Sequence, residues 1–246
     1  MSSARLSLAF VLTALLALFS TPLPTAAQTK PKILQTGIEA PASAIFIGNS
    51  FFYYNNSLHN HFILLLRSAD ASAKFRATSA TISGSGADWH DVESYFRPNA
   101  LGSYTFDANN NIVFNRNERL FDLAIMMDCS QCPIHPQLKA TFRASAKRHS
   151  ETVRKHGAKP AFLMTWAYQD RPPMTAELAE AYTSVGNDND ALVIPVGLAF
   201  AAAVERRPEL ALHMDDKRHP TLAGTFLAAC TVHAALFRRS PIGLAL

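Results

Sequence analysis

Residues 44–50 read Ala-Ile-Phe-Ile-Gly-Asn-Ser, an apolar run that stops at a glycine before two polar residues. A short apolar stretch closed by a turn signal is the pattern of a strand buried on both faces. Similar runs follow at 121–127 (FDLAIMM), 160–165 (PAFLMT) and 191–196 (ALVIPV), and 75–82 alternates like a strand before Ser83-Gly84-Ser85-Gly86. Between them, apolar residues recur at helical spacing over 58–69 (with Ser57 as a cap), 138–156 (closed by Gly157), 175–185, 198–206 and 221–237. Residues 98–118 are polar and turn-rich, with no clear period. Strands alternating with helices need crossover connections, and so a mostly parallel sheet covered on both faces. The expected architecture is a three-layer α/β/α sandwich with about five strands in flavodoxin-like order. In such sheets the functional loops lie at the carboxyl ends of the strands. That rule selects 48–50, 83–86, 128–133 and the segment near Trp166.

The 246 residues fit one α/β domain with a sizeable core, and 48% hydrophobic against 17% charged residues excludes a disordered chain. The net charge is +4 with no dense basic run. Arg143, Lys147, Arg148, Arg154 and Lys155 fall at helical spacing and read as a solvated helix face, so no nucleic-acid partner is expected. Arg5 precedes an apolar run over 6–19, and Thr25-Ala26-Ala27 places small residues ahead of a cut before Gln28. This is the layout of a secretory signal peptide over 1–27; the run is short for a membrane span of roughly 20 residues, and an uncleaved anchor is the alternative. Residues 28–43 read as a linker and 44–246 as the domain. The expected location is the periplasm or the outside of the cell, with no stable membrane insertion after cleavage.

Ser50 follows the first strand where the chain turns toward a helix, so it is exposed at the rim of the sheet near helical N–H groups. Near the other end stands Asp216-Lys217-Arg218-His219-Pro220. An Asp and a His three residues apart on a loop can bring the carboxylate to Nδ1, leaving Nε2 to take a serine proton. Asp215 is the rival carboxylate, at a spacing of four.

Together these segments resemble the SGNH (GDSL-like) hydrolases. Gly48-Asn49-Ser50-Phe51 is similar to block one in the branch with Asn in place of the Asp of G-D-S. Asp216-x-x-His219-Pro220 looks like block five, and Gly84 falls where the block two glycine is expected. Met164-Thr165-Trp166-Ala167 and Pro195-Val196-Gly197 also resemble that branch, and the likeness covers roughly 44–246. It implies a carboxylic ester hydrolase with Ser50 as nucleophile, His219 as general base and acid, and Asp216 as its orienting partner. The implied oxyanion hole uses the backbone N–H groups of Ser50 and Gly84, with Gly86 as the alternative, and a side-chain amide from block three. The implied substrate is a small-molecule or glycan ester, and no cofactor or metal is expected.

Block three departs from the family's G-x-N-D. In Met127-Asp128-Cys129-Ser130-Gln131-Cys132-Pro133, strict alignment puts Cys129 at the donor position, where a thiol donates poorly. Gln131 could serve if the loop bulges. The C-S-Q-C reads as a structural disulfide, Cys129–Cys132 or one of the two with Cys230. Pro133 and Pro136 argue against a redox helix, and zinc lacks a second ligand pair. Two other functions compete with an esterase: a non-catalytic carbohydrate- or lipid-binding protein on this scaffold, and a periplasmic thiol–disulfide protein using Cys129 and Cys132. Trp166 and Tyr168 are candidates to line a cleft. Trp89 and Phe96 read as core, and His59, His61 and His90 as helix-surface or loop residues.

Overall fold

The computed structural model describes residues 29–97, 104–114 and 119–244. The leader assigned to 1–27 lies outside them, as do parts of the 98–118 stretch. Among the described residues the strands are β1 (Ser43–Gly48), β2 (Arg76–Thr81), β3 (Tyr104–Phe106), β4 (Ile112–Phe114), β5 (Leu123–Met126), β6 (Lys159–Leu163) and β7 (Leu192–Ile194). The helices are α1 (Ser50–Tyr53), α2 (Leu58–Ala69), α3 (Val92–Tyr95), α4 (Lys139–Lys155), α5 (Met174–Asp188), α6 (Val196–Arg206) and α7 (Leu222–Phe237). No helix among the described residues is long and apolar enough to cross a membrane.

The main sheet has the order β2-β1-β5-β6-β7, and all its pairings are parallel. This is the α/β/α sandwich expected from the alternation. Each core strand feeds both layers, as a period of two demands. On β1, Ala44 and Phe46 pack toward α2, α6 and α7, while Ile45 and Ile47 face the α4–α5 side. On β5, Leu123 and Ile125 share the first core, and Ala124 and Met126 the second. These side chains are almost wholly buried, each large one stabilising the fold by roughly 1.5–3 kcal/mol.

The order positions the site. From β1 the chain steps outward to β2 and then crosses back to β5 on the other side of β1. The direction of winding therefore reverses between β1 and β5, and the crevice beyond their carboxyl ends is the natural ligand position. Both the Gly48–Ser50 turn and the Asp128–Cys132 loop open onto it.

Several local readings change. The turn-rich stretch holds a short antiparallel hairpin, β3 with β4. Ser57 precedes α2, but its hydroxyl makes no capping bond to the helix. It is the last of three successive left-handed residues, Asn55, Asn56 and Ser57. Residues 29–42 lack regular structure.

Candidate active site

The site begins where β1 ends. A Cβ on Gly48 would stand 2.6 Å from Met127 Cγ and 2.9 Å from the Phe52 ring, so only glycine lets the chain pass. Asn49 then caps α1, its Oδ1 accepting from the Phe51 N–H. The same amide donates from Nδ2 to the carbonyls of Ser85 (2.9 Å) and Asp128 (3.2 Å). One side chain thus ties together the loops that follow β1, β2 and β5.

Ser50 is the first residue of α1 and 9% exposed. Its Oγ lies 2.8 Å from His219 Nε2, and His219 Nδ1 is hydrogen-bonded to Asp216 Oδ2. The network sets the tautomer: Nδ1–H donates to the carboxylate, leaving Nε2 to accept from the serine hydroxyl. Asp216 Oδ1 accepts from the backbone N–H groups of Arg218 (2.9 Å) and His219 (3.0 Å). Partial desolvation pushes the Asp216 carboxyl up, but the His219 ring and those two N–H donors outweigh it and hold it at about 2. Asp215 is exposed and takes no part in this chain.

Tertiary contacts hold the imidazole in place. The His219 ring stacks on Tyr54 at 4.3 Å and meets Phe51 edge-on at 5.6 Å. Its loop is pinched shut by an antiparallel bridge between His213 and Pro220 and by the Met214 N–H donating to the His219 carbonyl at 2.8 Å. Trp166 Nε1 donates to the Arg218 carbonyl (2.9 Å), and the Gln169 N–H to that of Lys217 (2.9 Å). Asn55 Nδ2 donates to both the Pro220 carbonyl and Thr225 Oγ1 at 2.8 Å. The left-handed turn at 55–57 therefore serves to moor the His219 loop.

Trp166, a candidate cleft residue by sequence, is instead fully buried. It is sandwiched between Phe51 (4.4 Å) and Phe200 (4.3 Å), because its indole fills the layer beneath the loop. Tyr168 is also buried, under the Arg218 guanidinium and bonded to Ser130. His90 and His61 are buried rather than on the surface. His90 sits 3.1 Å from Ser85 Oγ and 3.0 Å from Tyr95 OH, and burial lowers its affinity for a proton. His61 donates to the Asn55 carbonyl. Trp89 is 60% exposed, whereas Phe96 is core.

Facing Ser50 are the loops after β2 and β5. Gly84 is exposed with φ +69°, a conformation that favours glycine. The N–H groups of Ser50 and Gly84 donate to no other group among the described residues. Gly86 is buried, its Cβ position 2.6 Å from Asp88 Oδ1 and 3.1 Å from Asp128 Oδ1. Cys129 and Cys132 form a disulfide, so the family's donor position carries no hydrogen on sulfur; Cys230 is free. The half-buried Gln131 has a side-chain amide without a partner among the described residues. Asp128 orients this loop, its Oδ1 accepting from the N–H groups of Ala87 (2.8 Å) and Cys129 (2.7 Å). Burial pushes Asp128 up to about 6 against those two donors. Asp128, Cys129 and Cys132 lie close enough to hold a cation, but the disulfide offers no thiolate and does not fit a zinc site.

No family model and no curated protein matches the sequence. Solved structures do match in shape. A protein from Slackia heliotrinireducens, provisionally assigned as an SGNH hydrolase, superposes with a TM-score of 0.57 at 19% identity, over 80% of this chain and 99% of that one. The chain has the SGNH hydrolase fold. A provisionally assigned GDSL-like lipase from Parabacteroides merdae gives 0.59 at 14% identity over 82% and 98%. An acetylxylan esterase from Geobacillus stearothermophilus gives 0.53 at 15% over 86% and 97%. Within the SGNH fold, the hydrogen-bonded Ser50, His219 and Asp216 come from the loops after β1 and before α7.

Tyr54 and Asn55 are the site residues that sequence reasoning missed, and Asn49 and Asp128, though within the selected segments, had no role assigned to them. Their work is to bridge loops far apart in the chain, and no local pattern marks it. The Asn-Asn-Ser run at 55–57 was the one available signal, since Asn tolerates the left-handed region.

Proposed function

We propose that the protein is an exported serine esterase that cleaves carboxylic esters through an acyl-enzyme. The observation that carries this reading is the continuous hydrogen-bonded chain Ser50–His219–Asp216 at the switch point of the sheet. Ser50 Oγ attacks the ester carbonyl as its proton passes to His219 Nε2, and Asp216 stabilises the imidazolium so formed. The tetrahedral oxyanion accepts from the N–H groups of Ser50 and Gly84, with the Gln131 amide as side-chain donor. Collapse expels the alcohol, which leaves with the proton from His219, and Ser50 remains acylated. Water then attacks the acyl group as His219 removes its proton, releasing the acid and restoring Ser50. Removing one donor from such a hole costs about 10²–10³ in rate. With a disulfide at the donor position, modest turnover is expected.

The substrate class is a small acyl or acetyl ester, free or on a glycan; the acetylxylan esterase among the structural neighbours supports the glycan form. Cys129–Cys132 accords with an oxidising compartment, and so with export to the periplasm or beyond. The altered donor position favours the second reading, a non-catalytic binding protein on the same scaffold. Reaction with a fluorophosphonate and turnover of p-nitrophenyl acetate separate the two. Labelling mapped to Ser50, with at least about 10⁴-fold loss of turnover in Ser50→Ala, is expected. Folded protein that neither labels nor turns over would leave the scaffold reading standing.

A further inference from the structure

A cavity lies at the open edge of the sheet, away from Ser50. Among the described residues β7 is the edge strand and pairs with β6 alone. Residues 29–35 cross this edge as a strap without pairing to it. The strap starts on α5, where the Thr29 N–H and hydroxyl donate to Glu180 and the Lys32 N–H and Lys30 carbonyl bond the Asn187 amide. It reaches the end of α7, where Arg238 donates to Gln35. The strap thus passes from one helix layer to the other. Beneath it is a cavity of about 630 Å³. Its walls include Leu192 and Val193 of β7, Leu198 of α6 and Ala234 of α7, with Leu34 from the strap.

The chemistry of the walls narrows the occupant. Leu34 and Leu198 are 71% and 42% exposed, so apolar surface is left uncovered along the trough. Among the described residues lining it, Lys30 alone is charged, and its ammonium meets no carboxylate there. The lining draws on α5 of one layer and on α6 and α7 of the other, with β7 between them, so apolar side chains from three helices and a strand face one ligand. A peptide strand is disfavoured, because β7 offers only three residues and the strap already covers them. We propose that this trough binds a linear fatty carboxylate, its chain along Leu192, Leu198 and Ala234 and its head group at Lys30. The volume falls within the roughly 300–1,000 Å³ of small-molecule sites. The site is independent of the chemistry assigned to Ser50.

Titration calorimetry on the full chain carrying Ser50→Ala tests this, with sodium octanoate, decanoate and dodecanoate below their micelle concentrations. One saturable site is expected, with affinity rising about fourfold per methylene as each is buried. Dodecyltrimethylammonium should bind at least tenfold more weakly than dodecanoate, and Lys30→Glu should weaken dodecanoate at least fivefold. Ala234→Phe, which fills the trough, and Leu198→Asp, at a half-exposed wall position, should each remove most of the binding while the circular dichroism spectrum is unchanged. The proposal is overturned by absent saturable binding, by affinity independent of chain length, or by equal binding of the cationic amphiphile. It is also overturned if both wall variants fold and bind normally, or if a fluorophosphonate on Ser50 of the unsubstituted chain abolishes binding.

Discussion

Asp216→Asn tests the assignment of roles at atomic detail. Asp216 Oδ1 accepts from two backbone N–H groups, while Oδ2 faces His219 Nδ1. An asparagine cannot turn over at this position, because its NH₂ would then point at two donors. Its carbonyl oxygen must keep the backbone bonds, which aims the NH₂ at Nδ1. Nδ1 becomes an acceptor, the ring proton moves to Nε2, and Nε2 can no longer take the proton of Ser50. In serine hydrolases the wrong tautomer costs about 10⁴ in kcat, or about 5 kcal/mol of transition-state stabilisation. Folding stability should change by less than about 1 kcal/mol, since the side chain is 45% exposed and the Oδ1 bonds survive. Because the parent carboxyl sits at about 2, it stays ionised across the assay range, so titration of Asp216 itself should not shape the parent's profile above about pH 5. The assay is p-nitrophenyl acetate hydrolysis against pH, with urea unfolding alongside and Asp215→Asn as control. Retention of activity within about tenfold, or an equal loss in Asp215→Asn, would refute the reasoning.

Three further outcomes follow from the same contacts. Asp128 is held near 6, above its value in the unfolded chain, so its ionisation costs stability: the penalty is absent below about pH 4 and complete above about pH 7. Asp128→Asn keeps the Oδ1 acceptor and should gain on the parent as pH rises through that window, by at most about 3 kcal/mol; parallel stability curves in urea would contradict this. Trp166→Phe should cost about 1–3 kcal/mol by orphaning the Arg218 carbonyl, and should lower kcat more than it raises KM; an unchanged denaturation midpoint counts against it. Thiol titration of unfolded protein should find one free cysteine before a dithiol reductant and three after it. Reduction should cost about 2 kcal/mol for so short a loop; three thiols at the outset would remove the disulfide.

Much of this molecule is written locally. The apolar runs at 44–47, 121–127, 160–165 and 191–196 become β1, β5, β6 and β7, because a strand buried on both faces must be apolar along its length. The glycine after β1 and the Asp-x-x-His spacing are equally short-range signals, and they marked Ser50, Asp216 and His219 for attention. What the chain's order could not disclose is which distant side chains would meet. Trp166 follows β6 as a cleft residue would, yet a stack with Phe51 and Phe200 takes it into the core. His90 lies in a loop by sequence and is buried against Ser85 by packing. Asn55 reaches across to Pro220, and Asn49 joins three loops, only because a parallel sheet brings the carboxyl ends of its strands to one edge. Sequence alone therefore marked the five strands of the main sheet and the candidate triad, which depend on neighbours within a few residues, but not the β3–β4 hairpin. The tertiary structure decided how His219 is held against Ser50, because the side chains that moor its loop from outside come from far along the chain, Trp166 from 52 positions before Arg218 and Asn55 from 165 before Pro220, and such partners are set by packing and not by local pattern.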